Sequence, residues 1–170
     1  SGEMAVYRLE NKAVKGSGSL ETQGIGNNRP VREAVTAAFT YFGTNARKVL
    51  PGIKVSEKDY LLYYGDSQRK GLSTEISLGE FIGLCSALAE RSVIESLAIA
   101  GDIKISGTLA KLTNLEEIFR VCKNAGAKRV LIPMDCIMDM QSVSRELLSE
   151  IQPMLYNDPL DAARKALDIF

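Results

Sequence analysis

The chain contains no histidine among its 170 residues. A Ser-His-Asp or Cys-His engine is therefore impossible within it, and imidazole zinc sites are excluded as well. Hydrolytic chemistry performed by this chain alone must take its base from Lys, Asp or Glu. In "RKGLSTEISLGEF", Ser73 or Ser77 sits where a helix begins, and the free amide N–H groups of a helix start can stabilise a developing anion. A serine hydroxyl is a weak nucleophile at neutral pH and needs a base. Lysine is the realistic one here, with its pKa lowered by burial. The same spacing also makes Ser77 and Glu80 a capping box, S-x-x-E, which leaves Ser73 a loop hydroxyl. Serine caps are common and active serines rare, so spacing alone favours the cap.

The second stretch is "KLTNLEEIFR", Lys111 to Arg120, with adjacent carboxylates Glu116 and Glu117 at a helix start. A catalytic carboxylate pair faces inward with raised pKa values. Adjacent helix residues point about 100° apart, so these two do not readily share a substrate. Thr113-Asn114-Leu115-Glu116 instead fits a capping box. In it, Thr113 bonds the Glu116 N–H and the Glu116 carboxylate returns to the Thr113 N–H. Both glutamates also suit the positive end of the helix dipole.

Other motifs carry less. No GxxxxGK[ST] occurs, so a P-loop nucleotide site is absent from the sequence. "GSGS" and "GIGNN" lack the spacing of a phosphate loop and read as turns. Cys85, Cys122 and Cys136 show no paired spacing, and the first two fall on apolar helix positions. That pattern predicts buried thiols in a reducing compartment rather than a redox or metal site.

The elements that must position these residues follow from hydrophobic periodicity. "GSLETQGIG" predicts a strand and turn. "NNRPVREAVTAAFTYFGTNARKVL" predicts a long amphipathic helix capped by Asn27 or Asn28, with Pro30 in its first turn. A strand over "IKVSEKDYLLYY" and a polar loop, "GDSQRKGLST", come next. "EISLGEFIGLCSALAERS" is apolar around much of its surface and predicts a central helix. "IESLAIAGDIKISGTLAKL" predicts two short strands about Gly101 and Gly107. A third helix puts Leu115, Ile118, Phe119 and Cys122 inward and ends near Gly126. "KRVLIPMD" predicts a buried strand stopped by Pro133. A short helix near Val143–Leu148 and a last one capped by Asp158 complete the chain. This order predicts a single α/β (α+β) domain over residues 18–170, preceded by an N-terminal extension or linker end at 1–17.

Composition agrees: 45% hydrophobic and 25% charged residues suit one soluble domain with a core of its own. Twenty-one basic residues balance 21 acidic ones, so no global field attracts polyanions or membranes. No apolar run approaches the ~18 residues of a membrane span, and the start lacks a signal-peptide pattern. A cytoplasmic location is expected, with no membrane partner.

Several blocks together resemble the proteolytic domain of Lon-type ATP-dependent proteases. They are "GSLETQGIGNNRPVREAVTAA", "KGLSTEI", "AGDIKISGTLAKLTNLEE" and "NAGAKRVLIP". The likeness runs from about Gly18 to Phe170. "DYLLYYGDSQRKG", "LGEFIGLCSAL", "NAGAKRVLIPM" and "YNDPLDAARKAL" carry a narrower likeness to the Lon-like proteins of BREX phage-defence systems. The resemblance implies a Lon proteolytic-domain fold, related to ribosomal protein S5 domain 2-like folds. It implies an ATPase domain in the same chain, which would hold ATP and magnesium; no cofactor or metal is expected in this domain. It also implies assembly as a ring, a hexamer, and contact with double-stranded DNA.

The family mechanism is a Ser-Lys dyad. Position by position, the serine falls on Ser73, in "GLS" where the family has "GPS". The lysine falls on Glu116, in "TNLEE" where the family has "GGLKE", and the family's small residues "AG" after the serine are replaced by Thr74 and Glu75. Lys111 is the fallback base, and Lys70 is a further candidate. Lys123 lies two helical turns beyond Glu116, roughly 10 Å of rise away. The resulting expectation is a non-catalytic assembly or interaction domain of an AAA+ ATPase in phage defence. The alternatives are an active serine endopeptidase using Ser73 with a non-standard base, and a DNA-contacting domain.

Overall fold

Residues 4–66, 75–104 and 107–169 are described by the structure, a computed structural model. The longest element shows how the sequence sets the architecture. Asn28 caps helix α1 (Arg29–Val49), its side-chain oxygen accepting the Val31 N–H at 3.2 Å, and Pro30 occupies the first turn where its missing N–H costs nothing. Val31, Val35, Ala38, Phe42, Ala46 and Val49 recur at three- and four-residue intervals and are all buried.

That stripe packs on a three-stranded sheet of order β1-β3-β2. Central β3 (Lys58–Gly65) pairs antiparallel with β1 (Arg8–Lys15) and parallel with β2 (Leu20–Gln23). The β2–α1–β3 connection is thus a parallel crossover with the helix covering one face. Strand β1 falls inside the 1–17 segment that the sequence assigns to an extension. Its inner residues are Leu9, Asn11 and Ala13, while its charged residues Arg8, Glu10 and Lys12 face outward. The "GSGS" turn between β1 and β2 closes on one carboxylate. Asp59 Oδ1 accepts the backbone N–H groups of Ser17 (2.9 Å), Gly18 (3.1 Å) and Ser19 (3.0 Å), and these bonds hold the Asp59 carboxyl down at about 2. After β2, Gly24 takes φ +91°, and a Cβ there would lie 2.2 Å from the Tyr64 carbonyl oxygen, so only glycine fits.

A second three-stranded sheet, all parallel, has the order β4-β5-β6: β4 (Leu97–Ile99), β5 (Arg129–Pro133) and β6 (Gln152–Tyr156). Helix α3 (Leu115–Asn124) makes the first crossover and α4 (Arg145–Glu150) the second. Central β5 is buried from Val130 to Ile132, as a strand covered on both faces must be. Strand β6 is not foreshadowed by the sequence because Pro153 interrupts it; at a sheet edge the missing N–H removes no obligatory ladder bond. The pair of strands expected about Gly101 and Gly107 is half right. Strand β4 forms; about Gly107 the described residues show an isolated antiparallel bridge between Ile103 and Leu109.

Helices α2 (Ser77–Ala89) and α5 (Pro159–Ala166) join the two sheets into one core. Phe42, Tyr60 and Phe81 meet Leu131 and Tyr156 there, with Tyr60 edge-on to Phe42 at a 5.2 Å centroid separation. Asp158 caps α5 through the Asp161 N–H at 2.8 Å, as its position predicts. The outcome is the mixed α/β fold expected from element order.

Candidate functional site

Ser73, the expected nucleophile, and Lys70 lie outside the described residues. The helix that follows them is described. Ser77 is its first residue and is buried, but it caps nothing. Its hydroxyl donates to Asp102 Oδ1 at 2.6 Å and accepts the Ile103 N–H at 2.7 Å. The capping box with Glu80 expected from S-x-x-E is therefore not formed. Ser77 instead ties the start of α2 to the segment after β4. Glu80 points into the core with no solvent exposure, where Oε1 accepts from Asn11 Nδ2 at 2.8 Å. Burial raises its carboxyl from 4.5 to about 8, against the smaller opposing effect of the Asn11 bond.

The second expected box fails as well. Helix α3 begins at Leu115, and Asn114 stands before it in the left-handed region, φ +57° and ψ 53°, with no side-chain cap. Asparagine tolerates that conformation better than most residues. The turn leaves Thr113 exposed rather than bonded into the helix. Glu116 finds a distant partner: its Oε1 accepts the backbone N–H of Ser144 at 3.1 Å, with the Arg120 guanidinium 3.7 Å away. Ser144 is itself the cap of α4, bonding the Leu147 N–H at 3.2 Å. The Glu116 side chain, 36% exposed, thus links the first turn of α3 to the first turn of α4. Glu117 faces solvent and reaches Arg120 at 4.0 Å. The two glutamates share the Arg120 guanidinium but differ otherwise: Glu116 reaches α4, while Glu117 faces solvent.

Of the other lysines, Lys123 is ion-paired with Glu150. Lys111 is exposed on the wall of a cleft of about 1070 Å³ that also presents Thr113, Asn114, Glu116, Arg120 and Asp139. Its charge is also felt by the Cys136 thiol, which burial and the nearby Asp139 and Asp135 push upward. A neighbouring cleft of about 1110 Å³ runs from Lys111 past β4 to the Gly79–Gly83 face of α2. The structure therefore brings Lys111 and Glu116 to one cleft, and places the start of α2 on the adjoining one.

The thiols are buried, with Cys85 raised to about 12 and Cys122 to about 11 by burial, which suppresses the reactive thiolate. Among the described residues no group of three or more His, Cys, Asp or Glu side chains is placed to hold a metal, and no helix is long and apolar enough to cross a membrane. Sequence reasoning missed the Ser77–Asp102 and Asn11–Glu80 pairs. The available signal for the second was a glutamate in a helix whose surroundings leave it no polar face.

Residues 2–168 match the Lon protease (S16) C-terminal proteolytic domain. The chain is 35% identical over 169 residues to the Lon-like protease BrxL of Bacillus cereus (strain H3081.97), covering 99% of this chain and 25% of that protein. It is 34% identical to the Lon-like protease BrxL of Escherichia coli O9:H4 (strain HS), covering 99% of this chain and 24% of that protein. Against the Lon protease of Flavobacterium johnsoniae the identity is 26% over 144 residues, 82% of this chain and 17% of that protein. The chain thus spans about a quarter of the length of the two BrxL relatives.

Proposed function

Because the chain belongs to the Lon protease (S16) C-terminal proteolytic domain family, we propose that it serves as the Lon-type domain of a ring-shaped ATPase in phage defence, and that it acts there without peptidase activity, as an assembly and interaction module. The observation that carries this reading is the Glu116–Ser144 bond at 3.1 Å. At the position where the resemblance places the dyad lysine, this chain has a carboxylate, and that carboxylate is occupied in joining α3 to α4. A carboxylate already engaged with a backbone N–H is a poorer base for a serine hydroxyl than a lysine amine. Lys123, the nearest lysine along the same helix, is held by Glu150. The defence setting rests on the narrower resemblance to the Lon-like proteins of BREX systems, which the similarity to two BrxL proteins supports. ATP and magnesium would belong to an ATPase domain outside this chain, and the ring to the full-length protein.

A second reading has one observation in its favour. Lys111 stands exposed on the same cleft as Glu116. An active peptidase could use the neutral amine of Lys111 as the base for Ser73.

Phage restriction by the full-length protein separates the two. The non-catalytic reading expects Ser73→Ala to retain ring assembly and full restriction, and removal of residues 18–170 to lose both. A Ser73→Ala ring of normal size that no longer restricts phage would overturn it.

A further inference from the structure

Among the described residues, the core contains two oxygens without a hydrogen-bond partner. Asn11 Oδ1 and Glu80 Oε2 are both buried without a hydrogen-bond partner, although their companion atoms, Asn11 Nδ2 and Glu80 Oε1, are bonded at 2.8 Å. An amide supplies two donors and an acceptor, while an ionised carboxylate supplies acceptors alone. With Glu80 ionised, a buried charge would face one donor and a second acceptor, an arrangement that costs several kcal/mol unless a further donor intervenes. One proton removes both defects.

We propose that Glu80 is held as the neutral carboxylic acid and that its Oε2–H is donated to Asn11 Oδ1, closing a two-bond acid–amide pair that clamps α2 to β1. The local packing is shaped for such a pair. Gly83 follows Glu80 on the same face of α2, and a Cβ there would lie 2.4 Å from Asn11 Nδ2. Gly79, one turn earlier, takes the Leu9 side chain at 3.4 Å in the same sense. Two glycines four residues apart therefore let β1 approach the helix closely enough for an asparagine to reach a helix glutamate. Asn11 is the inward residue between Leu9 and Ala13, so the clamp sits at the middle of the β1 inner face.

Among the described residues, no charged group acts on the Glu80 carboxyl. On α2, Cys85 is buried; from α1 and β3 the groups facing this core are Tyr41 and Tyr60. All three are pushed upward by burial, Cys85 and Tyr60 to about 12, so they stay neutral near pH 7. Asp158, before α5, acts on Tyr41. Glu75 and Asp102 stand at the start of α2, with Asp102 bonded to Ser77. The charged residues of β1, Arg8, Glu10 and Lys12, are on its outer face. Burial, with Asn11 opposing, accounts for the Glu80 carboxyl standing at about 8.

The sign of the resulting pH dependence follows. The native state keeps its proton up to about pH 8, whereas the unfolded chain releases it near 4.5. The contribution is fully present below pH 4.5, declines as pH rises toward 8, and is gone above it. Across that window the folding constant loses about tenfold per pH unit from this one group. Glu80→Gln keeps the shape, since its amide donates to Asn11 Oδ1 and accepts from Nδ2, but it cannot titrate.

Two measurements test the pair. The first compares unfolding of the 170-residue chain and its Glu80→Gln variant from pH 5 to 9. The variant is expected to fold and to lack the decline of about tenfold per pH unit that the wild type shows; an unchanged slope overturns the proposal. The second needs no variant: the carbon resonance of the Glu80 carboxyl in the wild-type chain is followed over the same range. A protonated signal at pH 6.5 that titrates near 8 supports the pair. Titration near 4.5 would mean an ionised Glu80 bridged by a trapped water, and the proposal fails.

Discussion

Tyr156 Oη donates to the Ala100 carbonyl at 2.8 Å, and a Cβ on the adjacent Gly101 would lie 2.2 Å from that same oxygen. One phenol therefore joins the end of β6 to the segment after β4 and also reserves the space beside it for a glycine. Gly101→Ala is expected to destabilise the chain by ~3 kcal/mol through overpacking against Tyr156 and Leu78. Adding Tyr156→Phe to that variant makes room at the cost of the Ala100 hydrogen bond. The double-mutant cycle, read by urea unfolding, should show the two changes costing less together than their sum.

Glu116→Ala removes the link between α3 and α4. The carboxylate is 36% exposed, so screening limits the loss to about 0.5–1 kcal/mol. Hydrogen exchange is the sharper readout. The Ser144 amide should exchange faster in the variant, while amides of β5 keep their protection.

Asp59 sets the acid side of the stability profile. Its carboxyl is held near 2 by three backbone N–H groups, against an unfolded value of 3.8. Its contribution is present above pH 3.8 and is lost as pH falls through about 2. Asp59→Asn should fold less stably at pH 6 and show a shallower decline below pH 4. Thermal melts from pH 2 to 6 check both points.

The three cysteines should be inert in the folded chain. Cys122, raised from 9.0 to about 11, has its thiolate fraction lowered about 100-fold before access is considered. Ellman's reagent at pH 8 should find no fast thiol in the native chain and all three in denaturant.

The helices were legible because their signals are local. Asn28 and Asp158 sit at the positions their caps require, and the α1 stripe needs only its own period. Strand β1 was hidden because its inner face carries Leu9, Asn11 and Ala13, of which only one is a large aliphatic residue. Strand β6 was hidden by Pro153, which edge placement excuses. Both S/T-x-x-E boxes misled for one physical reason. Each glutamate found a better partner far along the chain, Glu80 at Asn11, 69 residues away, and Glu116 at Ser144, 28 residues away. A capping box is worth about 1 kcal/mol, which a buried or tertiary hydrogen bond readily outweighs. The family was legible from the order of several blocks. The Glu116 bond to α4 was not legible, since no local pattern encodes it.

If this Lon-type domain lacks a working serine–base pair, ATP-driven cleavage of an unfolded substrate by the full-length protein should not depend on Ser73. Wild type and Ser73→Ala are compared at equal concentration, with and without ATP, and peptides are quantified by mass spectrometry. Both proteins should give the same background, with no ATP-stimulated product. Cleavage that requires ATP and disappears in Ser73→Ala would contradict the absence of such a pair and turn attention to Lys111 as the base.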